Sequence, residues 1–234
     1  MSPRQSSGTA VRAELSKAAI VERALAVMDV EGSDAVTIRR VAQEFGVTPM
    51  ALYWHVKNKV ELLAAVGDSF FEGMTVPPKD GNWSSRLRAV MELLMDALRR
   101  HPAAAPLALP RVLMCPSGLA VTEYTLALLS DAGFTVAQSA DLARAALQTA
   151  IMMVSQAPGA ETQAALAERD QILAAKRQHI AALSIDRYPN LVAAIGPLLD
   201  CADDQAYYSF GIDLYMEGAE ALLRRQKRAA KAAR

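Results

Sequence analysis

Apolar positions recur along most of the chain at three- and four-residue spacing, and no run of useful length alternates with a period of two. Ile20, Ala24, Val27 and Met28 share one face of a helix that Ser16 caps and Gly32 stops. A second helix opens at Thr37 and carries Ile38, Val41, Ala42 and Phe45 up to Gly46. A third opens at Thr48, with Pro49 at the first helical position, where its missing N–H costs nothing. Asn58 caps a fourth that reaches about Gly73. The segment TVPPKDGN, Thr75 to Asn82, interrupts the periodicity with two prolines and a glycine. Beyond it, helical patterns cover about 83–100, 117–131, 135–156, 161–184 and 203–228, with proline-bearing links at 102–116, Tyr188-Pro189 and Gly196-Pro197. The expected architecture is all-α. It divides into a Ser/Gly/Arg-rich, aperiodic and disordered arm at 1–14, a small helical unit at 15–74, a larger one at 75–228 and a basic tail at 229–234.

Two short helices around Phe45-Gly46-Val47 match a helix-turn-helix, with Gly46 suited to a left-handed turn and Val47 to the angle between helices. In the stretch TPMALYWHVKNKVELL, Leu52 and Val56 lie four apart and form the core side of the third helix. Tyr53 and Trp54 fall beside or away from that side. Spacing alone leaves open whether these aromatics cement a small bundle or contact a partner. Met50 and Ala51 occupy the first turn, the part of a recognition helix that enters a major groove.

The run from Ser16 to Leu63, above all VTIRRVAQEFGVTPMALYWHVKNKVELL, resembles the DNA-binding domain of the tetracycline-repressor (TetR) family. The resemblance implies that Arg39 reads a base from the second helix. It also implies that Tyr53, Trp54, His55 and Lys59 contact or buttress the DNA backbone, and that Thr48 doubles as cap and phosphate contact. Thr37, at the head of the second helix, joins this DNA-facing set. Pro49, Met50 and Ala51 stand where the tetracycline repressors have glutamine, proline and threonine. Losing that glutamine removes a bidentate donor–acceptor, so a tetracycline operator is not expected, and Met50 and Ala51 are placed to touch a thymine methyl.

GNWSSRLRAVMELLMDALRRHP and EYTLALLSDAGFT extend the resemblance, more weakly, into the body. There it implies a homodimer through helices near 135–156 and 203–228, whose small residues also suit packing within one chain. It further implies a chamber for a small-molecule effector. Thr75 stands where the tetracycline repressors have one histidine, and Leu107 or Ala108 where they have the metal-binding one. Val90 and Leu94 replace a polar asparagine and a phenylalanine, while Thr125 and Gln156 keep some polarity. A magnesium-bound effector is therefore not expected, and neither a metal site nor a cofactor is assigned. Met91, Met95, Leu98, Met152 and Met153 suggest a soft apolar cavity for a hydrophobic molecule, or else an ordinary methionine-filled core.

Charge refines this picture. Formal net charge is zero, but residues 1–60 carry a net +2, residues 61–223 a net −8, and 224–234 six basic residues with no acidic one. A mildly basic front on an acidic body is compatible with a nucleic-acid-facing end. The tail, like the arm with Arg4 and Arg12, is either a solvated end or an added attraction for DNA. Cys115 and Cys201 sit in no CxxC or Cys/His pattern and read as reduced thiols. No apolar run approaches the length of a membrane span and the N-terminus has no apolar signal core, so a soluble, cytoplasmic protein is expected. His55, His101 and His179 are isolated, and Asp200, Asp203 and Asp204 read as linker and capping residues. No catalytic motif is present, so no enzymatic activity is assigned.

Overall fold

The computed structural model describes residues 15–157, 163–199 and 204–232. The arm with Arg4 and Arg12, Asp200, Cys201, Asp203 and the last two residues lie outside them. Helices and turns make up the described chain, and no strand occurs among the described residues.

Local chemistry sets the first helices. Helix α1 (Lys17–Glu31) begins where the Ser16 hydroxyl accepts from the Ala19 N–H, and it ends at Gly32, whose φ is 88°. A 3₁₀ turn at Ser33–Ala35 leads to α2 (Ile38–Phe45), capped by the Thr37 hydroxyl accepting from Arg40 N–H. Gly46 then adopts the left-handed conformation at φ 64°, which a side chain would strain. Helix α3 (Pro49–Tyr53) follows, and α4 (Lys59–Ser69) starts at Asn58, whose side chain accepts from Glu61 N–H. The sequence pattern carried α4 to about Gly73, but the helix ends at Ser69. Phe70 and Phe71 instead turn into the core at 5% and 1% exposure. Burying two large rings is worth more than one further turn of solvated helix.

The larger part contains α5 (Trp83–Leu98), a 3₁₀ stretch at Pro102–Ala108, α6 (Pro116–Ala132) and α7 (Val136–Ser155). Then come α8 (Gln163–Ala181), the short α9 (Pro189–Ala193) and α10 (Ile195–Leu199), and α11 (Asp204–Ala232). The link at 102–116 holds helical turns that the prolines hid, because Pro102 sits in a first turn and Pro106 is tolerated in a 3₁₀ stretch. Helix α11 runs past the expected end at 228.

One continuous core joins both parts, from Ile20, Met28, Val41, Leu52, Val56 and Leu62 to Leu87, Met91, Leu98, Leu128, Leu129 and Met216. Helices α8 to α10 contribute no buried residue among those described; α8 rests against α1. Three ties fasten the small unit to the large one. Arg111 grips Asp68 of α4 through two hydrogen bonds of 2.7 and 3.0 Å, which raises the guanidinium pKa above its ordinary value. His101, just past α5, meets Asp29 of α1 at 2.7 Å. At Gly67 the backbone of α4 passes so near Leu107 O and the Arg111 stem that a Cβ would collide with both.

Candidate nucleic-acid interface and apolar cavity

Helix α3 ends at Tyr53, short of Val56, and together with the turn that follows it sorts its residues by environment. Leu52 and Val56 are fully buried, whereas Met50 is 68% exposed, Tyr53 47% and Trp54 87%. Both aromatics therefore stand on the surface and do not cement the core of the small bundle. Thr48 occupies the cap position of α3 but makes no side-chain capping bond, so its hydroxyl remains available outward. Pro49 and Ala51 are half-buried beside it, as is His55. Lys59 reaches back to Asp34 O at 3.4 Å, which anchors its ammonium near the 3₁₀ turn that precedes α2.

The two arginines of α2 are sorted by their neighbours. Arg40 is clasped by Glu31 at 2.6 Å and Glu44 at 2.5 Å, which holds the Glu31 carboxyl below its ordinary pKa and lifts the guanidinium's above its own. Arg39 is exposed and makes no ion pair with a described residue. Arg40 thus fixes α1 to α2, and Arg39 is left exposed to solvent. Thr37 spends its hydroxyl as the α2 cap.

A cavity of about 270 Å³ opens between α5, α6, α7 and residues 109–113. Val90, Leu94 and Thr125 line it, together with Leu109, Leu113, Val121, Thr122 and Leu147, which the sequence pattern did not single out. Its lining contains no histidine and no carboxylate. The Thr122 and Thr125 hydroxyls donate to Gly118 O and Val121 O, both at 2.8 Å, so toward the cavity they can only accept. Arg144, on the rim and paired with Asp141 at 3.1 Å, supplies the single positive charge of the lining.

The other expected effector residues lie elsewhere. Met91, Met95 and Leu98 are buried in the core at 0%, 3% and 1% exposure. Leu107 lies over Gly67 and is half-buried, and Met153 packs against Gly211 of α11. Met152 is 62% exposed, and Gln156 ends α7 at the surface. A helical period shows which face is apolar, but not which part of that face meets a void; only the three-dimensional crossing of α5, α6 and α7 decides that.

The fold is that of a helix-turn-helix protein whose small unit is fastened to a larger helical domain around an apolar cavity. Residues 20–66 match the family described as bacterial regulatory proteins, tetR family, and residues 77–223 match the tetracyclin repressor-like C-terminal domain. The chain belongs to the TetR family. An HTH-type transcriptional regulator of Saccharopolyspora erythraea is 34% identical over 116 residues, covering 49% of each chain. The tetracycline repressor protein class C of Escherichia coli is 30% identical over 141 residues, covering 53% of this chain and 64% of that one. The chain spans about half the length of the first curated relatives it matches. Among solved structures, the Streptomyces coelicolor TetR family protein ActR in complex with actinorhodin superposes with a TM-score of 0.70 at 28% identity, over 90% of this chain and 99% of that one. These curated relatives are transcriptional regulators rather than enzymes. Among the described residues no helix is long and apolar enough to cross a membrane.

Proposed function

We propose that this chain is a cytoplasmic, ligand-responsive transcriptional repressor that holds a palindromic DNA operator as a homodimer and leaves it when a small, apolar effector enters the cavity. Residues 15–74 act as the DNA-binding head and 75–228 as the effector-binding and dimerisation body. Arg39, Met50 and Ala51 read base edges, with Pro49 presetting the first turn. Thr37, Thr48, Tyr53, Trp54, His55 and Lys59 hold phosphate and sugar or brace the residues that do.

The observation that carries this reading is the sorting along α3 and the turn after it, where Leu52 and Val56 vanish into the core while Met50, Tyr53 and Trp54 stand in solvent. Large apolar side chains left outside on a five-residue helix and its C-cap mark a contact surface. The effector arm of the proposal rests on connectivity. Residues 109–113 wall the cavity, and Arg111 in the same segment grips Asp68 of α4. A ligand that spreads this wall pulls on the head, and a ligand favouring one spacing of two heads shifts the dimer away from its operator. A TetR-family neighbour captured with actinorhodin supports a small organic molecule as the effector class.

Selection of duplexes from a random pool by the purified protein at near-physiological salt tests the proposal. A palindrome with two half-sites is the expected product. Enrichment of nothing by a folded, dimeric protein would overturn it and favour a helical small-molecule carrier.

A further inference from the structure

The TetR-family match ends at residue 223, yet α11 continues to Ala232. The continuation carries Arg224, Arg225, Lys227, Arg228 and Lys231 and no acidic residue. At 100° per residue these five fall within an arc of about 160°, a single basic stripe along the helix. Arg224 is paired with Glu220 at 3.2 Å, while Arg225, Lys227, Arg228 and Lys231 are exposed and make no ion pair with a described residue. Complementing the helix dipole needs cations only in the last turn, and this stripe begins about two turns before the helix ends.

Its place in the fold is equally informative. The end of α5 lies on the head side, where His101 meets Asp29 of α1. The start of α5, about 24 Å away along a 16-residue helix, lies on the far side. There Trp83 packs edge-on against Phe134 at 5.5 Å. Glu217 and Glu220 of α11 share a surface cleft with Asn82 and Ser85 at this same far end, and Gln226 donates to Gly133 O at 3.0 Å. The basic stripe therefore projects from the end of the body opposite the helix-turn-helix and cannot reach the duplex that α3 would hold.

We propose that this stripe is a second, sequence-independent site for duplex DNA, which lets one molecule hold two duplexes at opposite ends. The only apolar residues on the continuation are Ala229, Ala230 and Ala232, so it has no bulky side chain to anchor in a lipid surface. What remains is a row of four unpaired cations, and a phosphate backbone supplies the complementary row of evenly spaced charge.

The bridging arm of the test rests on the operator-binding reading above. Full-length protein is loaded on bead-bound operator duplex, its retention is measured, and capture of a labelled duplex lacking the operator is then scored. The variant R225A/K227A/R228A/K231A keeps helix propensity and should stay on the beads while capturing at least tenfold less of the second duplex. Protein failing to stay on the beads would indict the head, not the stripe. A second arm is independent of the operator: binding to operator-free duplex is measured in a Tyr53→Ala, Lys59→Ala background. There the four alanines should flatten the slope of log affinity against log salt by about 3.6 for each stripe engaged. Unchanged capture and slope would overturn the proposal, as would stripe-dependent binding to anionic vesicles without binding to duplex.

Discussion

Leu52 and Trp54 stand two positions apart, and one is 0% exposed while the other is 87% exposed. Truncating each separates packing from contact. Leu52→Ala should cost about 2–5 kcal/mol in chemical denaturation, because it opens a void in a dense core. Trp54→Ala should change stability by less than about 0.5 kcal/mol yet weaken operator binding. Equal destabilisation by both would mean that the indole braces the fold. A parallel contrast tests the charges. Lys59→Ala should weaken binding to every duplex about equally and lower the salt slope by about one per head, whereas Arg39→Ala should relax preference at one base position. Salt titrations of operator and scrambled duplexes distinguish the two. A base-reading role for Arg39 is what the resemblance implies; the structure shows that the guanidinium of its neighbour Arg40 is occupied by Glu31 and Glu44.

Helix α4 carries two of the three ties between head and body, and its tightest point is Gly67. A Cβ there would strike Leu107 O and the Arg111 stem, so Gly67→Ala forces α4 and the link apart. We expect a loss of about 1–3 kcal/mol in thermal or chemical unfolding, together with an altered operator affinity in the absence of effector. Unaltered affinity in a destabilised protein would show that the contact holds the fold without carrying the signal. The capping residues Ser16, Thr37 and Asn58 were legible in the sequence because a cap is a local bargain between one side chain and the backbone N–H three residues on. Gly67 was not, since nothing within α4 requires a glycine; the demand comes from a carbonyl forty residues away. The cavity shows the same divide. Val90 and Leu94 were marked by the resemblance to the tetracycline repressors, but Leu109 and Leu113 sit in a link whose prolines concealed its helical turns.

Part of the exposed apolar area of the single chain lies on α11 and the end of α7, the elements proposed to meet a second chain. Phe210 and Leu214, one turn apart on α11, are 69% and 66% exposed, and Met152 on α7 is 62% exposed. Gly218 continues the α11 stripe with open space above its Cα, which allows another helix to approach closely. Neighbouring positions Gly211, Ile212, Met216 and Ala219 are buried against the chain's own body, so α11 has two apolar faces and its own chain fills only one. This two-faced pattern was visible in the sequence only as closely spaced small and apolar residues, which fit packing within a chain as well as between chains. Leu214→Glu separates these alternatives. The side chain touches solvent in the protomer, so the variant should keep its helical spectrum and lose little intrinsic stability. In the dimer it would bury two facing carboxylates, a cost large enough to shift sedimentation toward monomer at micromolar concentration. Operator affinity should then fall steeply, because two heads held together gain from effective concentration what one short helix lacks. A variant that still sediments as a dimer would place the interface on another face. A monomer with undiminished operator affinity would leave the dimer intact as an assembly but remove it from the mechanism.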